Sequence, residues 1–150
     1  MVFMKARQLC DPADADWMEM RGLLWDLADG AEIAAAVQCV VAGPSRSAAF
    51  LAVASGGRGV GFAEVSVRTD YVNGCKSSPV AFLEGIYVRP EFRRHGVARL
   101  LYQEAERWGR ARRCAEMGSD ALIDNTVSHG MHRGLGFEEA VRVVCFRKDI

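Results

Sequence analysis

The sequence predicts one α+β domain, a central mixed antiparallel and parallel sheet with helices on both faces. Three observations carry this. The first half holds segments with the two-residue period of half-buried strands, two of them joined by a glycine-rich turn, whereas in the second half strands alternate with helical periods. Val80–Val88 is almost unbroken apolar sequence, as in a strand covered on both sides at the centre of a sheet. The 150 residues contain no repeat or linker, and 50% of them are hydrophobic, which suits a single core.

The elements follow in order. Lys5–Leu9 reads as a short first strand. Asp11 before Pro12 reads as an N-cap with proline at the first helical position, opening a helix that carries Trp17, Met20, Leu24 and Leu27 on one face. Asp29 caps a second helix through Ile33, Val37 and Val41, closed by Gly43-Pro44. Phe50–Ala54 and Val60–Val67 form a hairpin around Ser55–Gly59. After a polar loop, Asp70–Pro79, comes the apolar strand Val80–Val88. Val97, Leu101, Ala105 and Trp108 then recur at helical spacing from Gly96 to about Arg112. A short strand near Glu116–Ser119, a helix from Asn125 to Leu135 stopped by Gly136, and a last strand, Ala140–Lys148, complete the chain.

Composition narrows the function. Nineteen basic and nineteen acidic residues cancel, so no global field favours nucleic acid or an anionic membrane. Five scattered cysteines with no Cys-x-x-Cys spacing argue against a metal centre and a disulfide framework. With no apolar signal core and no membrane-spanning stretch, a reducing, cytoplasmic setting is expected.

The chemistry concentrates between Glu84 and Arg99. A central strand ends before Pro90, two arginines follow, and Gly96 opens a helix: Arg93-Arg94-His95-Gly96-Val97-Ala98-Arg99. A helix start offers unpaired amides and the positive end of the macrodipole. Glycine permits close approach of an anion, and arginines add charge-assisted contacts, so a pyrophosphate is a natural ligand. An ordinary helix start with a solvated arginine pair reads the same way locally. Gly85, inside a buried strand, marks a bulge or a close backbone approach.

Arg93-x-x-Gly96-x-Ala98 resembles the Q/R-x-x-G-x-G/A loop of the GCN5-related N-acetyltransferase (GNAT) superfamily. Asn125 through Phe137 resembles that superfamily's N-x-x-A-x-x-L-Y-x-x-x-G-F. The resemblance implies the GNAT fold with a splayed, bulged strand and acetyl-CoA as cosubstrate, with no metal. In it the backbone of Ile86, Tyr87 and Val88 pairs with the pantetheine arm, and Asn125 lies near that arm. His132 stands where many members carry a tyrosine that protonates the departing thiolate. Imidazolium suits that role near neutral pH, and a packed or solvated helix histidine is an equal alternative.

A finer resemblance concerns the acceptor. Asp70-Tyr71-Val72-Asn73-Gly74 and Phe82-Leu83-Glu84-Gly85-Ile86, with Trp25, Ser119-Asp120 and Ser128-His129, are similar to the aminoglycoside 6'-N-acetyltransferases of the AAC(6')-I group. This implies an aminoglycoside of the kanamycin or tobramycin type as partner, with Trp25, Tyr71, Glu84 and Asp120 lining its site. Polycationic sugars need carboxylates for their ammonium groups and aromatic faces for their rings. Trp25 and Tyr71 also read as core residues, and Asp120 as a helix cap. Glu84 would orient the amine or accept its proton, directly or through water. The amide of Val88 or of a nearby strand residue would polarise the acyl carbonyl, and transfer would be direct. Another small amine or a protein N-terminus is the alternative acceptor on the same scaffold, and a non-catalytic CoA- or drug-binding module is the alternative outside enzymes. Relatives of this group are commonly homodimers, for which an exchanged or paired C-terminal strand would serve.

Overall fold

The computed structural model of the chain describes residues 3–150. Five strands, β1 (Met4–Gln8), β2 (Ser47–Ala54), β3 (Gly59–Arg68), β4 (Val80–Val88) and β5 (Met117–Ser119), lie side by side in chain order. The first three pairings are antiparallel and that of β4 with β5 is parallel. A parallel step needs a long crossover, and helix α3 (Val97–Ala111) supplies it.

Both faces of the sheet are covered. Helices α1 (Ala15–Trp25) and α2 (Gly30–Ala42) bury Trp17, Met20, Ile33 and Val37 against Leu51 and Phe62 on one face. On the other, α3 buries Val97, Leu101, Ala105 and Trp108 against Phe50, Val65 and Leu83. These four α3 residues are the ones whose spacing predicts the apolar stripe. Each large side chain buried in this way contributes roughly 1.5–3 kcal/mol relative to leaving it exposed. A last helix, α4 (Thr126–Gly134), follows β5.

Two polar clusters fasten α1 to the sheet, and sequence patterning does not reveal either. Glu64, buried in β3, accepts from the Trp17 indole at 2.9 Å and from Arg21 at 2.8 Å. Arg89, buried just beyond β4, pairs with Asp16 at 2.9 Å and Glu19 at 2.8 Å and donates to the Gly59 carbonyl. Buried charges persist only when partnered in this way.

Two expected starts move and one expected strand does not form. Helix α1 begins one turn later than expected: Asp14, not Asp11, is its N-cap and accepts from the Trp17 amide. Asp11 is taken up in the preceding turn, where its carboxylate accepts from Ala13 two residues on. Strand β2 starts at Ser47 rather than Phe50, because Ala48 and Ala49 already pair with Val65 and Glu64. The expected strand Ala140–Lys148 does not join the sheet. A strand exists through its ladder, and β5 at the sheet edge is only three residues long. The segment instead runs exposed, with Ala140 lying over Gly74 and Val141, Val143, Val144 and Phe146 turned to solvent.

Candidate active site

Strand β4 carries one residue more than the strand opposite it. Glu64 faces Gly85 and Val65 faces Leu83, so Glu84 has no partner across β3. The bulge therefore falls on the residue next to the glycine that suggests it. Its consequence is a change of face. Ala81 and Leu83 belong to the core beneath α3, and Ile86 and Val88 belong to the same core three and five residues after Leu83. Strict alternation would have turned them to the other side.

The extra residue coincides with an opening. β5 pairs only with Ala81, Phe82 and Leu83, and the ladder stops at Leu83 opposite Ser119. Past that point, the edge of β4 from Glu84 to Val88 has no strand beside it among the described residues. An unpaired edge of this kind receives an extended ligand as a further strand would be received.

At the far end of this edge lies the arginine-rich turn. A 3-10 turn, Pro90–Phe92, leads into it, and Arg93 donates from Nε to the Val88 carbonyl at 2.9 Å. Arg94 and Gly96 both adopt left-handed backbone, with φ of 65° and 82°. The His95 ring nitrogen Nδ1 lies 2.7 Å from the Arg93 carbonyl oxygen. Gly96 is the N-cap of α3 and provides no capping side chain. Among the described residues, the amides of His95, Gly96, Val97 and Ala98 have no hydrogen-bond acceptor. Nothing lies within 4 Å of the place a β-carbon on Gly96 would take. Free amides, a helix N-terminus, two exposed arginines and open space fit a diphosphate. Arg99 donates to the Gly134 carbonyl at 2.9 Å and ties α3 to the end of α4.

On the α1 side of the opening, the Glu84 carboxylate accepts from the Ser66 hydroxyl and pairs with Arg68 at 2.9 Å. The Arg68 guanidinium also lies 3.4 Å from the centre of the Phe82 ring. Trp25 packs against β4 at Gly85 and lies beneath Arg21, whose guanidinium is 4.4 Å from the indole. Trp25 and Glu84 thus flank one spot on β4. Tyr71, 82% exposed, and Asp120, also exposed, stand on loops beside β4 and β5 and touch neither Glu84 nor Trp25 through any hydrogen bond.

On the α3 side, His132 meets the opening where the strands part. Its Nε2 is 2.8 Å from Ser119 Oγ, and Ser119 donates to the Leu83 carbonyl at 3.1 Å. Its Nδ1 is 2.8 Å from the Ser128 carbonyl. Phe137 stands edge-on to the imidazole at 5.2 Å and to Tyr102 at 5.5 Å. Burial and the neighbouring Glu106 push the Tyr102 phenol up to about 12, so it stays protonated. Asn125 caps α4 through its side-chain oxygen, which accepts from the Ser128 amide.

The structure thus brings Trp25, Glu84, the strand edge 86–88, the turn 93–98 and His132 to one opening, whereas Tyr71 and Asp120 are exposed and hydrogen-bond to none of them. Sequence reasoning missed Ser66 and Arg68, although both share the alternate positions of β3 with Glu64. It also missed the link between Ser119 and His132, for which spacing carries no signal. The assembly sets free amides at one end, an unpaired strand edge along its length and a carboxylate on one side, with an imidazole and a hydroxyl at the apex. Those are the requirements of group transfer from a phosphate-bearing donor to a cationic acceptor.

Known proteins share this fold and much of its sequence. The family model for the acetyltransferase (GNAT) family matches residues 11–137. An aminoglycoside N(6')-acetyltransferase type 1 of Salmonella enteritidis is 45% identical over 152 residues, covering 97% of this chain and 99% of its own. One of the same name from Acinetobacter haemolyticus is 43% identical, covering 90% and 91%. Among solved structures, AAC(6')-Iy in complex with the bisubstrate analogue CoA-S-monomethyl-acetylneamine superposes with a TM-score of 0.92 at 41% identity, covering 99% of both chains. AAC(6')-Ih from Acinetobacter baumannii superposes with a TM-score of 0.92 at 38% identity, again covering 99% of both.

Proposed function

The chain belongs to the acetyltransferase (GNAT) family, and from that premise we propose that it transfers the acetyl group of acetyl-CoA to the 6'-amino group of aminoglycoside antibiotics, giving resistance. The observation that carries this is the likeness to AAC(6')-Iy bound to an analogue joining CoA to an acetylneamine, which spans 99% of both chains. Free amides at one end of the opening beside β4 and a carboxylate beside it support a CoA half and an amine half.

The residues divide the work as follows. The amides of His95, Gly96, Val97 and Ala98, with Arg93 and Arg94, hold the pyrophosphate of acetyl-CoA. The edge of β4 at Ile86, Tyr87 and Val88 takes the pantetheine arm, and Asn125 flanks it. Acetyl-CoA supplies an acyl group activated as a thioester. Glu84 draws the 6'-ammonium to the opening and passes its proton on through water, so that a neutral amine faces the acyl carbon. The Val88 amide polarises the acyl carbonyl. Trp25, Tyr71 and Asp120 seat the sugar rings and remaining ammonium groups. His132 serves as the proton source for the sulfur. The cysteines have no part in the transfer.

We also infer a cytoplasmic homodimer. Val141, Val143, Val144 and Phe146 are exposed on a segment that pairs with no strand among the described residues, and a second copy of the chain is the natural cover for them. Removing residues 140–150 is expected to halve the mass measured by sedimentation.

Thiol release from acetyl-CoA tests the reading with kanamycin, tobramycin, spermidine and a peptide N-terminus as acceptors. Release with the two aminoglycosides supports it. Release with only spermidine or the peptide would assign a different acceptor, and tight CoA binding without release would leave a binding module.

A further inference from the structure

We propose that Ser119 is the immediate proton donor to the departing sulfur, with His132 recharging it; this rests on the acetyl-transfer reading above. The His132 ring has no free nitrogen with which to reach a ligand. Nδ1 lies 2.8 Å from the Ser128 carbonyl and 3.3 Å from the Ser128 hydroxyl, and Nε2 lies 2.8 Å from Ser119 Oγ. Phe137 stands edge-on to the ring at 5.2 Å. The ring is thereby fixed, and the hydroxyl of Ser119 is the outermost member of the chain of hydrogen bonds.

The place of that hydroxyl is unusual. Ser119 is the last residue of β5 to pair with β4, and its side chain donates to the Leu83 carbonyl at 3.1 Å. It therefore sits at the apex where the two strands separate, one residue from the bulged Glu84. A proton donor for the sulfur is needed at this point, between the arm along β4 and the amine held by Glu84.

The proton inventory closes. A carbonyl oxygen only accepts, so Nδ1 carries hydrogen toward Ser128. In the loaded state Nε2 carries hydrogen as well and donates to Ser119, whose own hydrogen points to Leu83. The amine nitrogen bonds to the acyl carbon, and the carbon–sulfur bond breaks with its electron pair left on sulfur. The Ser119 hydroxyl turns its hydrogen from the Leu83 carbonyl to that sulfur, gives it up, and takes the Nε2 proton of His132. The ring is left neutral and regains a proton from solvent, to which the amine has released two. The overall reaction of an ammonium with a thioester thus yields amide, thiol and one proton.

Two measurements on wild type, Ser119→Ala and Ser119→Thr test this. The first is long-range 15N–1H NMR of the His132 ring in the free protein, and the second is the split of kcat from KM, with CoA affinity by calorimetry. Ser119→Ala is expected to shift the Nε2 resonance and lower kcat about 10²-fold or more, with acceptor KM and CoA affinity little changed. Ser119→Thr keeps a hydroxyl and is expected to restore both. Undiminished kcat in Ser119→Ala, or a Ser119→Thr variant that binds CoA normally yet is as slow as alanine, would overturn the relay while leaving acetyl transfer standing. A wild type with a Ser119-dependent ring signal but no thiol release with any amine would sink the transfer reading, and the relay with it.

Discussion

The Trp25 indole occupies the space that a side chain at position 85 would need: a β-carbon on Gly85 would lie 2.5 Å from Trp25 Cζ2 and 2.8 Å from Leu24 Cδ2. The glycine is thus demanded by close approach of α1 to the bulge, which brings an aromatic face beside Glu84. Gly85→Ala is expected to lower stability by roughly 1–3 kcal/mol, as overpacking does. Trp25 would have to move, so acceptor KM should rise as well. Chemical denaturation and steady-state kinetics check both.

Glu84 is paired with Arg68 and Ser66. An incoming ammonium must share or replace the Arg68 contact, and the carboxylate charge is what attracts it. Glu84→Gln is expected to raise acceptor KM by about 10- to 100-fold, the value of a charge-assisted hydrogen bond of roughly 1.5–3 kcal/mol. CoA affinity, measured by calorimetry, should not change, because Glu84 lies on the α1 side of the opening.

Gly96 separates backbone requirement from contact. Its φ is 82°, and no atom lies within 4 Å of an added β-carbon. Gly96→Ala therefore meets no clash, and its effect is confined to left-handed strain of about 1–2 kcal/mol. Relaxation of that strain would turn the amides at 96–98 away from a diphosphate. CoA dissociation constants should rise about tenfold, in step with that energy, while acceptor KM at saturating acetyl-CoA stays level.

Glu116 shapes the loop that carries Tyr71. Its carboxylate accepts from the Lys76 amide, the Ser77 amide and the Ser77 hydroxyl, and the Ser77 hydroxyl is the leading cause of a lowered pKa. A carboxyl whose folded pKa lies below its unfolded value adds stability above the unfolded value and loses it as pH falls through the folded one. Glu116→Gln should therefore flatten the acid limb of the stability–pH curve below the ordinary carboxylate range. Thermal unfolding across that range reads it out.

What the sequence makes legible depends on the range of the interaction. The α3 stripe of Val97, Leu101, Ala105 and Trp108 is periodic, and the turn at Arg93–Ala98 is contiguous, so both can be read in one dimension. Gly85 signals the bulge, but only pairing with Glu64 and Val65 places the extra residue at Glu84. Arg68 with Glu84 and Ser119 with His132 meet through strand register and a crossover, and no local pattern reports them. The C-terminal segment misleads for a related reason. Its apolar residues have the composition of a strand, while a ladder partner is a property of the whole sheet.

The opening between Glu84 and His132 is proposed to acetylate one defined amine. NMR of the product formed from kanamycin and acetyl-CoA tests it most directly. A single acetamide at the 6'-nitrogen is expected, with one thiol released for each acetyl group transferred. Acetylation at another amine, or an unmodified drug in mixtures where the protein acetylates a different acceptor, would contradict it.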